Sequence, residues 1–145
     1  MSAVSEIMSQ GVVAIDGDAN PSVLDVVNMM VKKKVGSVIV LMSGKPAGII
    51  TERDVLKKAL AHNKRAQDVS ARSIMSTPII TSKAYDSVDT AVKIMTMNKI
   101  KRLPVVEADG ALVGILSVSD IAKRLAKILA DDYNRHRSLK ALLEL

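Results

Sequence analysis

The chain has 145 residues with a formal net charge of +6, and hydrophobic residues make up 48% of it, enough to fill the core of one domain or of two small, intimate ones. That core is aliphatic, because Tyr85 and Tyr133 are the only aromatic residues, and the composition argues against the aromatic stacking platforms that hold single-stranded nucleic acid. Disulfides and thiolate metal sites are excluded by the absence of cysteine, no apolar run approaches the roughly 18 residues that cross a bilayer, and MSAVSEIMSQ lacks the pattern of a signal peptide, so a soluble cytoplasmic protein with no membrane partner is expected.

In chain order, Ile7-Met8-Ser9 leads into a short extended piece, GVVAI (11–15). After polar turn residues a helix is predicted from about Ser22 to Lys34. Its apolar residues Val23, Val26, Val27, Met30 and Val31 follow the i, i+3, i+4, i+7, i+8 stripe, and Ser22 is a good N-cap. Two β-rich runs follow, SVIVLM (37–42) and AGIIT (47–51), joined by a turn at SGKP. A helix from about Glu52 to His62 closes the set. The polar stretch HNKRAQDVSARS (62–73) contains neither Gly nor Pro, which predicts ordered packing rather than a loose tether.

The series then begins again, and such internal repeats decide a fold. Ile74-Met75-Ser76 repeats the opening triplet at an offset of 67 residues. Ser87-Val88, Val92, Met95, Lys99 and Val105 repeat Ser22-Val23, Val27, Met30, Lys34 and Val40 at 65, and Gly114-Ile115 with Asp120 repeat Gly48-Ile49 with Asp54 at 66. The second copy reads TPIIT (77–81), a helix from Ser87 with Val88, Ala91, Val92 and Met95 as its stripe, then LPVVE and LVGILS joined at ADGA, whose Asp-Gly suits a hairpin. A helix from Val118 past Leu129 ends it. The order is β-α-β-β-α twice, an α/β (α+β) fold of two repeats, 1–66 and 67–130, with 131–145 as a basic, amphipathic helical extension. Near-continuous aliphatic strands predict sheets buried on both faces. Because units this small are marginal alone, the repeats are expected to pack sheet to sheet.

The most regular feature is a doubled heptad, GIITERD (48–54) and GILSVSD (114–120). Ser/Thr-x-x-Asp at a strand-to-helix junction is a capping pattern. Thr51 or Ser117 would cap the helix, Asp54 or Asp120 would sit at the third helical position, favoured by the dipole, and the glycine would let the strand pack closely against something. One detail counts against caps as the whole explanation: the reciprocal cap normally uses Glu or Gln, whose longer chain reaches back more easily. The same geometry also makes a polar pocket at a sheet edge, where a carboxylate suits a ribose diol and a neighbouring cation suits a phosphate. Both readings stand on the residues alone.

From Ile7 to about Leu129 the chain resembles a tandem pair of cystathionine-β-synthase (CBS) domains, a Bateman module. The resemblance is carried by the two Ile-Met-Ser triplets, the two Ser-Val helices, Arg102-Leu103-Pro104-Val105-Val106 and the two heptads. It implies pseudo-twofold symmetry and two clefts between the repeats that take adenosyl compounds (AMP, ADP, ATP or S-adenosylmethionine) as regulatory ligands, with no required cofactor. By resemblance, Asp54 and Asp120 hold ribose hydroxyls, and Thr51 and Ser117 lie beside ribose or phosphate. Val13, Ala14 and Ile15, and Ile79, Ile80 and Thr81, flank the base, and Arg102 contacts phosphate. The first copy departs from this pattern, with Gly36-Ser37 aligned to Lys101-Arg102. Arg53 or Lys34 would have to compensate, and both positions also suit simple solvation. A homodimer and a regulated protein target elsewhere are further implications.

No Ser/His/Asp set, metal-ligand cluster or Walker loop is present, so no enzyme is expected. His62 and His136 lie in basic polar stretches that suit solvation, and Met29, Met30, Met95 and Met97 sit at core-like helical spacing. Beyond the repeats, Leu125, Ile128 and Leu129, then Leu139, Leu142 and Leu143, suggest helical stripes interrupted around Asp131–Asn134, covering the module or a dimer partner. Lys123, Arg124, Lys127, Arg135, Arg137 and Lys140 also make this segment a basic arm able to touch phosphate, though no base-reading module accompanies it. Three functions therefore remain in view: a regulatory, energy-sensing ligand module, a nucleic-acid-associated protein, and a structural dimerisation scaffold.

Overall fold

A computed structural model describes residues 2–132 and 141–145. The chain divides into two units, one formed by Gly11–Thr81 and Glu107–Leu112, the other by Met1–Gln10, Ser82–Val106 and Val113–Leu145. These units are called here after Asp54 and Asp120. They partition the chain differently from the sequence repeats 1–66 and 67–130: the residues that open each repeat, and Glu107–Leu112 of the second, fall in the other unit.

In the Asp54 unit, β1 (Ala14–Asp16) runs parallel to β2 (Ser37–Met42), which pairs antiparallel with β3 (Lys45–Thr51). The β2–β3 turn places Ser43 and Gly44 at φ 52° and 75°, the mirror-image turn whose twist matches that of the flanking strands. Helix α1 (Val23–Lys33) starts on a closed box: Ser22 Oγ accepts the Asp25 N–H at 3.1 Å and the Asp25 carboxylate accepts the Ser22 N–H at 2.8 Å. Its stripe buries Val23, Val26 and Met30 in a cluster with Val38, Val40, Ile50 and Val55. Helix α2 (Glu52–Lys58) is shorter than expected. A separate 3-10 turn, Leu60–His62, follows it and ends at Asn63 in the left-handed conformation, and His62 is exposed. The stretch 62–73 is ordered, as expected. It includes the start of α3 (Ala71–Ile74), and Val69, Ala71 and Ile74 join the core cluster.

In the Asp120 unit, β5 (Arg102–Val106) lies between β4 (Ser82–Lys83) and β6 (Leu112–Ser117), with β4 parallel to β5. The expected extended piece at 77–81 is thus followed by a strand of only two residues. Ile15 pairs with Val40, and Ser82 pairs with Val105. Since Val40 and Val105 are repeat equivalents, Ser82 corresponds to Ile15, one position later than TPIIT against GVVAI implies. In the first copy the Ile39 N–H extends the pairing by donating to the Val13 carbonyl at 3.0 Å. Its counterpart is Pro104, which has no N–H to donate.

Helix α4 (Val88–Asn98) is capped by Ser87, whose Oγ accepts the Thr90 N–H at 3.1 Å, and buries Ala91 and Met95. Met29 is half-buried and Met30 buried, but Met97 is 83% exposed. It falls about 200° around the helix from Met95, so its expected packing role is corrected. Helix α5 (Val118–Asp132) runs without a break through the expected boundary at 130–131. It buries Ala126 and Ala130, while Leu125 and Ile128, 56% and 46% exposed, do not cover the module within the chain. Residues Leu139, Arg135, His136, Arg137 and Lys140 lie outside the described residues. No helix among the described residues is long and apolar enough to cross a membrane.

The central strands carry the aliphatic runs that the sequence marks as buried. Ser37–Val40 of β2 and Leu103–Val106 of β5 are buried throughout, whereas β3 and β6 bury only alternate positions near their ends.

Candidate ligand site at the doubled heptad

Each heptad ends a strand and starts a helix, and the structure gives a reason for its glycine, its hydroxyl and its aspartate. A Cβ on Gly48 would lie 2.6 Å from Met75 Sδ and 3.0 Å from the Ser76 carbonyl; one on Gly114 would lie 2.5 Å from Met8 Sδ and 3.0 Å from the Ser9 carbonyl. The repeated glycines therefore receive the methionines of the repeated Ile-Met-Ser triplets. Ile49 and Ser76 exchange backbone hydrogen bonds of 3.2 and 2.8 Å, and Ile115 and Ser9 exchange two of 2.9 Å. These bridges satisfy outer-strand groups that would otherwise be left unpaired.

The serine of each triplet then reaches the heptad's aspartate. Ser76 Oγ donates to Asp54 Oδ1 at 3.1 Å, and Ser9 Oγ donates to Asp120 Oδ1 at 3.2 Å. Sequence reasoning missed both serines. Their repetition was visible, but nothing local indicates which heptad each one serves.

Both caps close with aspartate, which corrects the expectation that its short chain reaches back poorly. Asp54 Oδ2 accepts the Thr51 N–H at 2.9 Å while Thr51 Oγ accepts the Asp54 N–H at 3.3 Å. The corresponding distances for Ser117 and Asp120 are 2.9 and 3.1 Å. Asp54 is buried, at 8% exposure, and Asp120 is half-buried. Lys58 is a second residue that the sequence did not single out. One turn along α2 it ion-pairs with Asp54 Oδ1 at 3.1 Å and donates to the Ile74 carbonyl at 3.0 Å.

The remaining residues fall around these corners. The Val118 N–H donates to the Lys101 carbonyl at 3.0 Å, as the Glu52 N–H does to Gly36 at 3.1 Å. This match equates Ser37 with Arg102, and half-buried Arg102 begins β5 beside the Ser117 end of β6. Arg53 is exposed on α2, and Lys34 is exposed with φ 56°. Lys34 lines an apolar depression of about 520 Å³ with Val27, Val31, Glu52 and Leu56, which includes neither Thr51 nor Asp54. Val13, Ala14 and Ile15 are half-buried in or next to β1, and Ile79, Ile80 and Thr81 are half-buried outside regular structure. Among the described residues no three His, Asp or Glu side chains gather as a metal site.

A doubled β-α-β-β-α unit, each copy closing its last strand on a hydroxyl–carboxylate cap, places the chain in the class of paired-repeat α+β modules. The CBS domain profile matches residues 4–61 and 71–127, and the chain belongs to the CBS domain family. It is 37% identical over 120 residues to uncharacterized protein MK0525 of Methanopyrus kandleri; the match covers 82% of this chain but 60% of that relative, less than two thirds of its length. The solved CBS domain pair of protein MJ0100, in complex with 5′-methylthioadenosine and S-adenosyl-L-methionine, is similar with a TM-score of 0.77 and 27% identity, over 88% of this chain and 98% of that one. The CBS domain protein PAE2072 from Pyrobaculum aerophilum, complexed with AMP, gives 0.75 and 27%, over 82% and 89%.

Proposed function

We propose that the protein is a non-catalytic regulatory module that binds an adenosyl compound (AMP, ADP, ATP or S-adenosylmethionine) at corners built on Asp54 and Asp120. The observation that carries this reading is the pair of capped carboxylates at strand ends, in a chain similar to structures solved with AMP and with S-adenosyl-L-methionine. Those two molecules share an adenosine and differ in the charge of what is attached, so the common chemistry is a base and a ribose diol. In this reading Asp54 and Asp120 accept from ribose hydroxyls, and Thr51 and Ser117 stand beside ribose or phosphate. Arg102, with Arg53 in the other copy, supplies cationic charge, and the segments Val13–Ile15 and Ile79–Thr81 flank the base.

A ligand regulates only through differential affinity for two states, and the state it selects would be read by a protein target or by a second copy of the chain. Thermal melting with each of the four compounds tests the reading. At about a hundred times its Kd a ligand adds about 2.7 kcal/mol of stability, a rise of several degrees. Unchanged melting of the folded protein with all four would overturn it.

A further inference from the structure

Building on the adenosyl-binding reading, we infer that the two corners are unequal: Asp120 is the open acceptor for a ribose diol, while Lys58 is an internal cation that must be displaced before Asp54 can serve as one. A carboxylate offers about four acceptor directions. Asp54 has them filled, by the Thr51 N–H at 2.9 Å, the Thr51 hydroxyl at 3.1 Å, the Ser76 hydroxyl at 3.1 Å and the Lys58 ammonium at 3.1 Å. Asp120 receives two donors among the described residues, the Ser117 N–H at 2.9 Å and the Ser9 hydroxyl at 3.2 Å. A vicinal diol brings two donors, so it fits Asp120 as it stands.

The difference lies at two positions where the copies differ. Position 58 is lysine, whose compact ammonium bridges Asp54 and the Ile74 carbonyl. Its repeat counterpart is Arg124, which makes no ion pair with Asp120 among the described residues and keeps its buried Nε without a hydrogen-bond partner. The first hydroxyl belongs to Thr51, which donates to its own aspartate. Ser117 Oγ accepts the Asp120 N–H and makes no such donation, leaving its proton for a ligand. The Lys58 side chain is 40% exposed, so the ion pair alone is weak. Its effect is to remove an acceptor position, and each hydrogen bond displaced lowers affinity about threefold to tenfold.

Calorimetric titration of the intact chain with AMP and, separately, with S-adenosylmethionine tests this. The inference expects two binding events about tenfold or more apart. Asp120→Asn abolishes the tighter one, and Lys58→Met brings the weaker one to within about threefold of the tighter. Lys58→Leu, which also lacks a donor, provides the same reading if the methionine variant does not melt cooperatively. A tight event that survives Asp120→Asn overturns the inference, as do two equal events in the unmodified chain. So does a second event that Lys58→Met leaves unchanged or weakens, the latter meaning that Lys58 serves the ligand's phosphate. Each of these failures leaves the adenosyl reading intact. If neither compound binds the unmodified chain, that reading falls and the inference falls with it.

Discussion

At the scale of single residues, glycine and methionine are the pair to explain. Gly48 and Gly114 sit on half-buried strands where a side chain would ordinarily be gained at no cost, yet each faces a methionine from an Ile-Met-Ser triplet. A methionine side chain can bend away from an added methyl group, but the Ser76 carbonyl, 3.0 Å from the ideal Cβ of Gly48, is backbone held in a two-bond bridge. Gly48→Ala should therefore cost about 1–3 kcal/mol, as overpacking does elsewhere. Gly11→Ala, with nothing within 4 Å of its Cβ, should change stability by less than about 0.5 kcal/mol. Urea unfolding of both variants checks the pair. Equal, negligible losses would mean that the strand yields at Gly48 and that the glycine is not a packing requirement. The sequence shows that both glycines recur and that close packing is one reason for it. It does not show what they pack against, because Met75 lies 27 positions from Gly48 and Met8 lies 106 from Gly114.

At the scale of elements, α1 and α4 were legible because each pairs a 3.6-residue apolar period with a serine cap, at Ser22 and Ser87. The errors came where another constraint outweighed periodicity. Pro104 has no N–H to extend the β4 pairing, and α5 turns its small Ala126 and Ala130 inward although its large aliphatics set the stripe. One recurring pair has a bland explanation that the sequence left open. Lys34 and Lys99, aligned in the repeat, both end their helices in the left-handed conformation, at φ 56° and 54°. Glycine adopts that conformation without steric cost and is the usual residue there. Lys34→Gly and Lys99→Gly should each stabilise the chain by about 0.5–1 kcal/mol, the lost cation at the helix C-terminus subtracting a few tenths. A lower melting temperature in either variant would show that the lysine side chain contributes more than its backbone strain costs.

At the scale of the whole chain, the N-terminal residues carry information that no local pattern contains. Residues 2–9 do for the Asp120 unit much of what residues 69–76 do for the Asp54 unit. The Val4 N–H donates to the Asp86 carbonyl at 2.8 Å as the Ala71 N–H does to Pro21 at 2.9 Å, and the Val88 N–H donates to Ser2 at 3.0 Å as the Val23 N–H does to Val69 at 2.8 Å. The two triplets are chemically alike, so their sequences cannot say which repeat each completes. Only the chain's path decides it, and the decisive contacts span as many as 111 positions. Val4 is fully buried, and burying a valine contributes about 1.5–3 kcal/mol, so these residues hold part of the Asp120 unit's core rather than decorating it. Deleting residues 2–10 should then expose the backbone of β6 and the first turn of α5, which lose the Ser9 bridge and the Ser9–Asp120 bond. The β3 strand keeps its own bridge to Ser76. Hydrogen exchange on the truncated and full chains measures this directly: amides of Ile115 and its neighbours should exchange at least about tenfold faster after deletion, a loss of about 1.4 kcal/mol of local protection, while those around Ile49 change much less. Uniform acceleration in both sheets would mean that the two units unfold as one and that the N-terminal segment stabilises the chain globally. No change at Ile115 would mean that β6 does not depend on it.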